Sequence, residues 1–342
     1  MWLYLPKYSN PRTSQPLPNP PRTLLGSFRD TVQCSIMPIW KSILAYDGTP
    51  FHGWQVQPGL PTVQGTLAQA IHHVTGETVL PQGSGRTDTG VHALAQVASF
   101  PLEAPIPVLN LHRALNRALP PSIRILSLEI APPDFHARHR AIGKTYEYRI
   151  FPSRPHPAPL RLDPMPLICP PKLAPFAWDC HLPLDLAALQ NAAGAVLGTH
   201  DFTSFAAADP DLTTRTTPPQ DQVSHPLQSY RKGWGIGRST TAPAHLRGDE
   251  PFESSINQPQ HTTNIRTIHH SAWHRHDNLL IYRITGNGFL HHMVRNLVGT
   301  FVEVGSGRLP PEAIPRILAA RYRSAAGPTA PARGLFLVEV EY

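Results

Sequence analysis

Apolar positions along this chain alternate between strand spacing and helix spacing, beginning at Met37. Ser42-Ile43-Leu44-Ala45-Tyr46 reads as a strand, with Asp47-Gly48 as its turn. Thr62 then offers an N-cap to a helix whose apolar stripe is Val63, Leu67, Ile71 and Val74, with Gly76 suited to the position after its end. A strand over Gln96-Val97-Ala98-Ser99-Phe100 follows. A second helix has Leu111, Leu115 and Leu119 as its buried line and Pro120 as its stop, and then Ile123 to Ile130 reads as a strand. The second half repeats the order: strand 143–151, helix 185–197, strands 265–274 and 278–285, helix 291–304 and a closing strand 335–342.

Two adjacent strands between helices are the mark of split βαβ units. The expected fold class is therefore α+β, with two ferredoxin-like or RRM-like subdomains, mainly antiparallel sheets, and a central active-site cleft where they join. The expected units are 37–142 and 143–342, the first carrying the loop around Asp88. Residues 1–36, with Pro6, Pro11, Pro16, Pro18, Pro20 and Pro21, read as a disordered extension. The stretches 152–184 and 206–262 read as loop insertions into the second unit.

Charge narrows the partners. The chain carries 30 Lys+Arg against 23 Asp+Glu, a net +7, which favours polyanions modestly over neutral ligands. Cys34, Cys169 and Cys180 have no C-x-x-C spacing and are odd in number, so neither a disulfide framework nor a zinc site is indicated, and a reducing cytoplasm fits. No stretch approaches the roughly 20 apolar residues of a membrane span.

The chemistry concentrates in Gly85-Arg86-Thr87-Asp88-Thr89-Gly90-Val91-His92-Ala93. One carboxylate stands between two glycines that free the backbone, two residues after an arginine whose charge stabilises the ionised form of an acid. The same residues equally well build a surface turn. Phe135-His136-Ala137-Arg138-His139-Arg140 gathers basic and aromatic side chains. In Lys144-Thr145-Tyr146-Glu147-Tyr148-Arg149-Ile150 the strand period puts Tyr146 and Tyr148 on one face, where a ring can pack in a core or stack on an unpaired base. Arg113 and Arg117 share a helix face that is either solvated or turned to phosphates. In the helix after Gly286-Asn287-Gly288-Phe289-Leu290-His291-His292-Met293-Val294-Arg295-Asn296, Arg295 falls on a largely buried surface and needs an acid or phosphate, structural or catalytic. A metal role for His291 and His292 is disfavoured, because neighbours on a helix face different directions.

Taken together, these blocks resemble the TruA family of tRNA pseudouridine synthases. The resemblance rests on Tyr46-Asp47-Gly48, Phe51-His52-Gly53-Trp54-Gln55, Thr62-Val63-Gln64-Gly65, the Asp88 block, Phe135-His136-Ala137-Arg138 and Lys144-Thr145-Tyr146-Glu147-Tyr148. It continues through His200-Asp201-Phe202-Thr203-Ser204-Phe205, His291-His292-Met293-Val294-Arg295-Asn296 and Gly327-Pro328-Thr329-Ala330-Pro331. It implies Asp88 as the catalytic aspartate, Arg86 as its partner in the motif, Tyr146 as the ring stacked on the target uracil and Arg295 as a salt-bridge partner near the carboxylate. It further implies a homodimer in which one tRNA touches both subunits, uridines 38, 39 and 40 of the anticodon stem-loop as targets, and no metal or cofactor. The enlarged 152–184 and 206–262 stretches and the first 36 residues depart from the family pattern. Two other classes compete: a non-catalytic RNA-binding protein of the same fold, and a glycosidase, which would need a second carboxylate facing Asp88.

Overall fold

The computed structural model describes residues 37–154, 167–207 and 263–342. The expectations for 1–36, for residues 155–166 of the 152–184 stretch and for nearly all of 206–262 lie outside these residues. The strands are β1 (Ile39–Tyr46), β2 (Gln82–Gly83), β3 (His92–Pro101), β4 (Ile123–Ala131), β5 (Gly143–Pro152), β6 (Trp178–Cys180), β7 (Gly198–Asp201), β8 (Ile265–His276), β9 (Leu279–Gly286) and β10 (Leu335–Glu341). The helices are α1 (Val63–Thr75), α2 (Val108–Ala118), α3 (Leu186–Gly194), α4 (Met293–Gly305) and α5 (Ala313–Ala320).

Local chemistry accounts for most of these boundaries. Thr62 caps α1 by accepting from Gly65 N, and Gly76 ends it in the left-handed region at φ 78°. Val63, Leu67 and Ile71 are fully buried on one stripe of that helix. Leu111 and Leu115 fill the inner face of α2, and Leu119 closes it. Along β1 the even positions Trp40, Ser42, Leu44 and Tyr46 are buried, the alternation of a strand with one face on the core.

All ten strands belong to one sheet, ordered β4-β1-β3-β10-β5-β9-β8-β7, with β2 on β3 and β6 on β5. Antiparallel pairing dominates, as expected, but the hydrogen bonds run without a break from one half to the other. The last strand makes the join. β10 lies antiparallel to β5 and parallel to the start of β3, where Phe336 faces His92 and Leu337 faces Ala93. Further along the same edge of β3, Gln82 and Gly83 of β2 pair with Ser99 and Ala98. One edge of β3 is thus shared between two partners, and residues 84–91, which link β2 to β3, emerge between them. Helices α1 and α2 pack together with α2 along β4, while α3 lies against β8 and α4. One apolar core runs through both halves, from Trp40 and Leu67 to Tyr148, Phe301 and Leu337.

Candidate active site

Residues 84–91 are tied down from several directions. Ser84 N donates to Val97 O at 2.8 Å and Ser84 Oγ to Gln96 Oε1 at 2.6 Å, while Gln96 Nε2 donates to Gly85 O at 3.0 Å. Trp54 N donates to Thr87 O at 3.0 Å, and Thr87 Oγ1 shares a 2.8 Å hydrogen bond with the Tyr46 hydroxyl, whose pKa burial raises to about 12. Gly53 adopts φ +82°, and a Cβ there would meet Thr87 O at 2.6 Å. Glycine is what lets the 51–54 segment press against the loop. Val91 N donates to Asp88 O at 3.1 Å, closing a turn through Gly90 at φ +76°. The Tyr46-Asp47-Gly48 and Phe51–Gln55 blocks are therefore the bed on which the Asp88 loop rests.

Asp88 projects from this loop with its side chain one-fifth exposed. Arg295, 207 residues away on α4, donates from Nη1 to Asp88 Oδ2 at 2.9 Å. Its Nε donates to Ala330 O at 2.8 Å, and Ala330 N donates back to Arg295 O at 3.1 Å. The Gly327–Pro331 segment is anchored in turn by Arg323, which bonds Gly327 O, Asn296 Oδ1 and Thr329 Oγ1. Arg295 thus has a fixed direction before it meets the acid, and the partner its buried position demands is Asp88.

Asp88, Arg86, Tyr146 and Arg295 all line one open cleft of ≈ 840 Å³. Arg86 is exposed on the loop itself. Tyr146 is buried to 8% exposure, set edge-on to Phe289 with ring centres 5.0 Å apart. Burial, reinforced by Tyr46 and Asp88, pushes its phenol pKa well up, so the hydroxyl stays protonated. Tyr148 faces the same way but is core, its hydroxyl bonded to Pro331 O at 2.7 Å. Arg113 and Arg117 are exposed on α2 and do not line the cleft.

The two histidines correct one expectation. The helix begins at Met293, one position after His292, which adopts φ 59° in the left-handed region. The pair is therefore not on a helix, and its rings lie side by side with centres 4.0 Å apart. His291 Nε2 stands 3.6 Å from Asp88 Oδ1 and His292 Nε2 stands 3.3 Å from Oδ2. Burial lowers the pKa of His292 against the opposing pull of Asp88, with His291 and Arg295 lowering it further, so this ring is held toward neutrality. One ligand atom from each of the three residues falls within 4.8 Å of the others, a grouping that can converge on a cation. Arg295 already places a positive charge on the same carboxylate oxygen and competes with that role. No spacing in the sequence announces this convergence, because starting the helix at Met293 rather than at His291 decides where both rings point.

What this arrangement offers chemically is a single carboxylate, oriented by an arginine, in a cleft lined by cations and aromatic rings. The family model described as tRNA pseudouridine synthase matches residues 43–139 and 242–342. The tRNA pseudouridine synthase A of Solibacter usitatus is 42% identical over 299 residues, 87% of this chain and 97% of its own length. That of Moorella thermoacetica is 40% identical over 90% of this chain and 100% of its own length, and that of Bacillus pumilus is 36% identical over 88% and 98%. With the family's match on both sides of the cleft and relatives aligned over nearly their whole length, this chain belongs to the tRNA pseudouridine synthase family.

Proposed function

We propose that this protein isomerises uridine to pseudouridine in tRNA, with Asp88 as the essential carboxylate. The reaction breaks the bond between N1 of uracil and C1′ of ribose, turns the base, and rejoins it through C5, with no net oxidation. The observation that carries the reading is the 2.9 Å ion pair between Arg295 and Asp88 within the cleft. It aims one carboxylate at the space a flipped nucleotide would enter, for attack at C1′ or proton removal at C2′. Tyr146, from β5, supplies the ring on which the uracil stacks, and Arg86, exposed beside Asp88, meets the RNA. The residues around Asp88 supply what the isomerisation asks for with no metal or cofactor taking part.

The targets proposed are uridines 38, 39 and 40 of the anticodon stem-loop, modified in the cytoplasm by a homodimer that contacts one tRNA with both subunits. In this reading the halves 37–142 and 143–342 act as ferredoxin-like subdomains meeting at β3 and β10. The test is to incubate an unmodified tRNA transcript with wild-type and Asp88→Ala protein and to map pseudouridine chemically. The wild type should modify the anticodon arm. Asp88→Ala should bind the tRNA yet form product at least about 10³-fold more slowly. Activity retained in the variant overturns the role of Asp88, and product confined to other uridines overturns the proposed targets.

A further inference from the structure

Lys144 stands on β5 two residues before Tyr146, so strand alternation sends both side chains to the same face, and both line the cleft. Its ammonium donates to Ser84 O at 2.8 Å. It also occupies the space a side chain at position 85 would need, since a Cβ on Gly85 would meet Nζ at 2.8 Å. An ammonium has three donors, and this bond uses one. Arg138, exposed on the same cleft, is a second cation nearby; burial first and Arg138 second lower the pKa of Lys144 to about 8. Among the described residues neither cation has a carboxylate partner. A partly buried ammonium beside a guanidinium, without an acid, is unfavourable until an anion arrives.

We propose that Lys144 and Arg138 form a phosphate-binding subsite that holds the RNA backbone next to the nucleotide whose base reaches Asp88 and Tyr146. The ligand class follows from the donors. A neutral uracil carbonyl cannot offset two positive charges, whereas a phosphodiester accepts both the point charge of a lysine and the fork of an arginine. Placement agrees: two residues along a strand is about 6.6 Å, which sets Lys144 beside the ring of Tyr146 rather than beneath a base stacked on it. The bond to Ser84 O then couples the subsite to the turn that carries Asp88, so a seated phosphate and an oriented carboxylate share one lysine. The inference rests on tRNA being the substrate.

The experiment is binding of an unmodified tRNA transcript to the full chain across a salt series, comparing wild type with Lys144→Met and Arg138→Met. Each lost phosphate contact should make the plot of log affinity against log salt shallower by about 0.7–0.9. Lys144→Met and Arg138→Met should each show that change, and wild-type affinity should fall as the pH rises through about 8 while that of Lys144→Met does not. A lysine that only braced the 84–85 turn would alter turnover and leave the salt slope alone. Arg138 is exposed, so its variant keeps the test open should Lys144→Met fail to fold. An unchanged slope in Arg138→Met, or in folded Lys144→Met, overturns the subsite. Changed slopes in a protein that forms no pseudouridine would instead overturn the proposed reaction and leave the subsite standing.

Discussion

Asp88 is held by its neighbours more than by its own loop. Arg295 reaches it with side chains on both partners at least four-fifths covered, so the pair works in a medium less screened than bulk water. Because Arg295 is itself fixed by Ala330 O, its loss should move the acid and not merely remove a charge. Arg295→Met is expected to lower kcat by about 10²-fold, the scale on which a misplaced catalytic group costs rate, with tRNA affinity little changed. Single-turnover kinetics with saturating enzyme would show this, and an unaltered kcat would remove Arg295 from the site. The stacking role proposed for Tyr146 predicts a different kind of loss. Tyr146→Leu, which deletes the ring, should cost about 10- to 100-fold in kcat/KM, the range of one base-aromatic stack, whereas Tyr146→Phe should keep wild-type affinity for tRNA.

Helix α4 shows how one element carries the site, and why its small residues are there. Gly299 packs so closely on the 327–331 segment that a Cβ would fall 1.7 Å from Pro328 O. Helix propensity favours alanine over glycine by about 1 kcal/mol, but overpacking against backbone costs about 1–3 kcal/mol, and here the backbone cannot rotate away. Gly299→Ala should therefore lower the melting temperature and also reduce turnover, because the displaced segment carries the carbonyl that aims Arg295. Gly194→Ala, at the end of α3 with open space around its Cβ, should be neutral or slightly stabilising by the same thermal measurement. Elements of this kind were largely legible in the sequence. The capping threonine and glycine of α1, the leucine line of α2 and the alternating strands β1, β5 and β9 were read from spacing alone, because each is decided by its own residues. β2, β6 and β7, of two to four residues, are too short to carry a period, and α5 went unread. Asp88, Arg86, Tyr146 and Arg295 could be named from motifs. Lys144 and the two histidines could not, because their importance lies in what faces them from other elements.

At the scale of the whole molecule, the placement of β10 between β3 and β5 is what no local pattern revealed, since pairing partners are chosen by the core and not by the strand. His92 sits at that join, 1% exposed. Its Nδ1 accepts from Gly48 N at 3.0 Å and its Nε2 lies 3.1 Å from Pro175 O. Its ring stacks on Phe336 of β10 at 4.7 Å. These contacts suit a neutral ring with its proton on Nε2. Asp47 Oδ1, 3.2 Å from Nδ1, would favour the charged form, as would the carbonyls of Pro175 and Arg333, but burial outweighs them and Arg149 adds to it. The folded-state pKa is therefore lowered from 6.5. For a group depressed in the folded state, stability is whole above the unfolded value and is lost as the pH falls below it toward the folded one, because the unfolded chain takes up the proton first. Melting temperature should thus drop between about pH 7 and pH 5. Other histidines titrate in the same window, so the informative quantity is the difference from His92→Gln, which keeps an uncharged polar group there. Wild type should fall more steeply than the variant across this range. Parallel curves would mean that His92 meets its partners equally well in either charge state, and that the join between the halves is insensitive to protons.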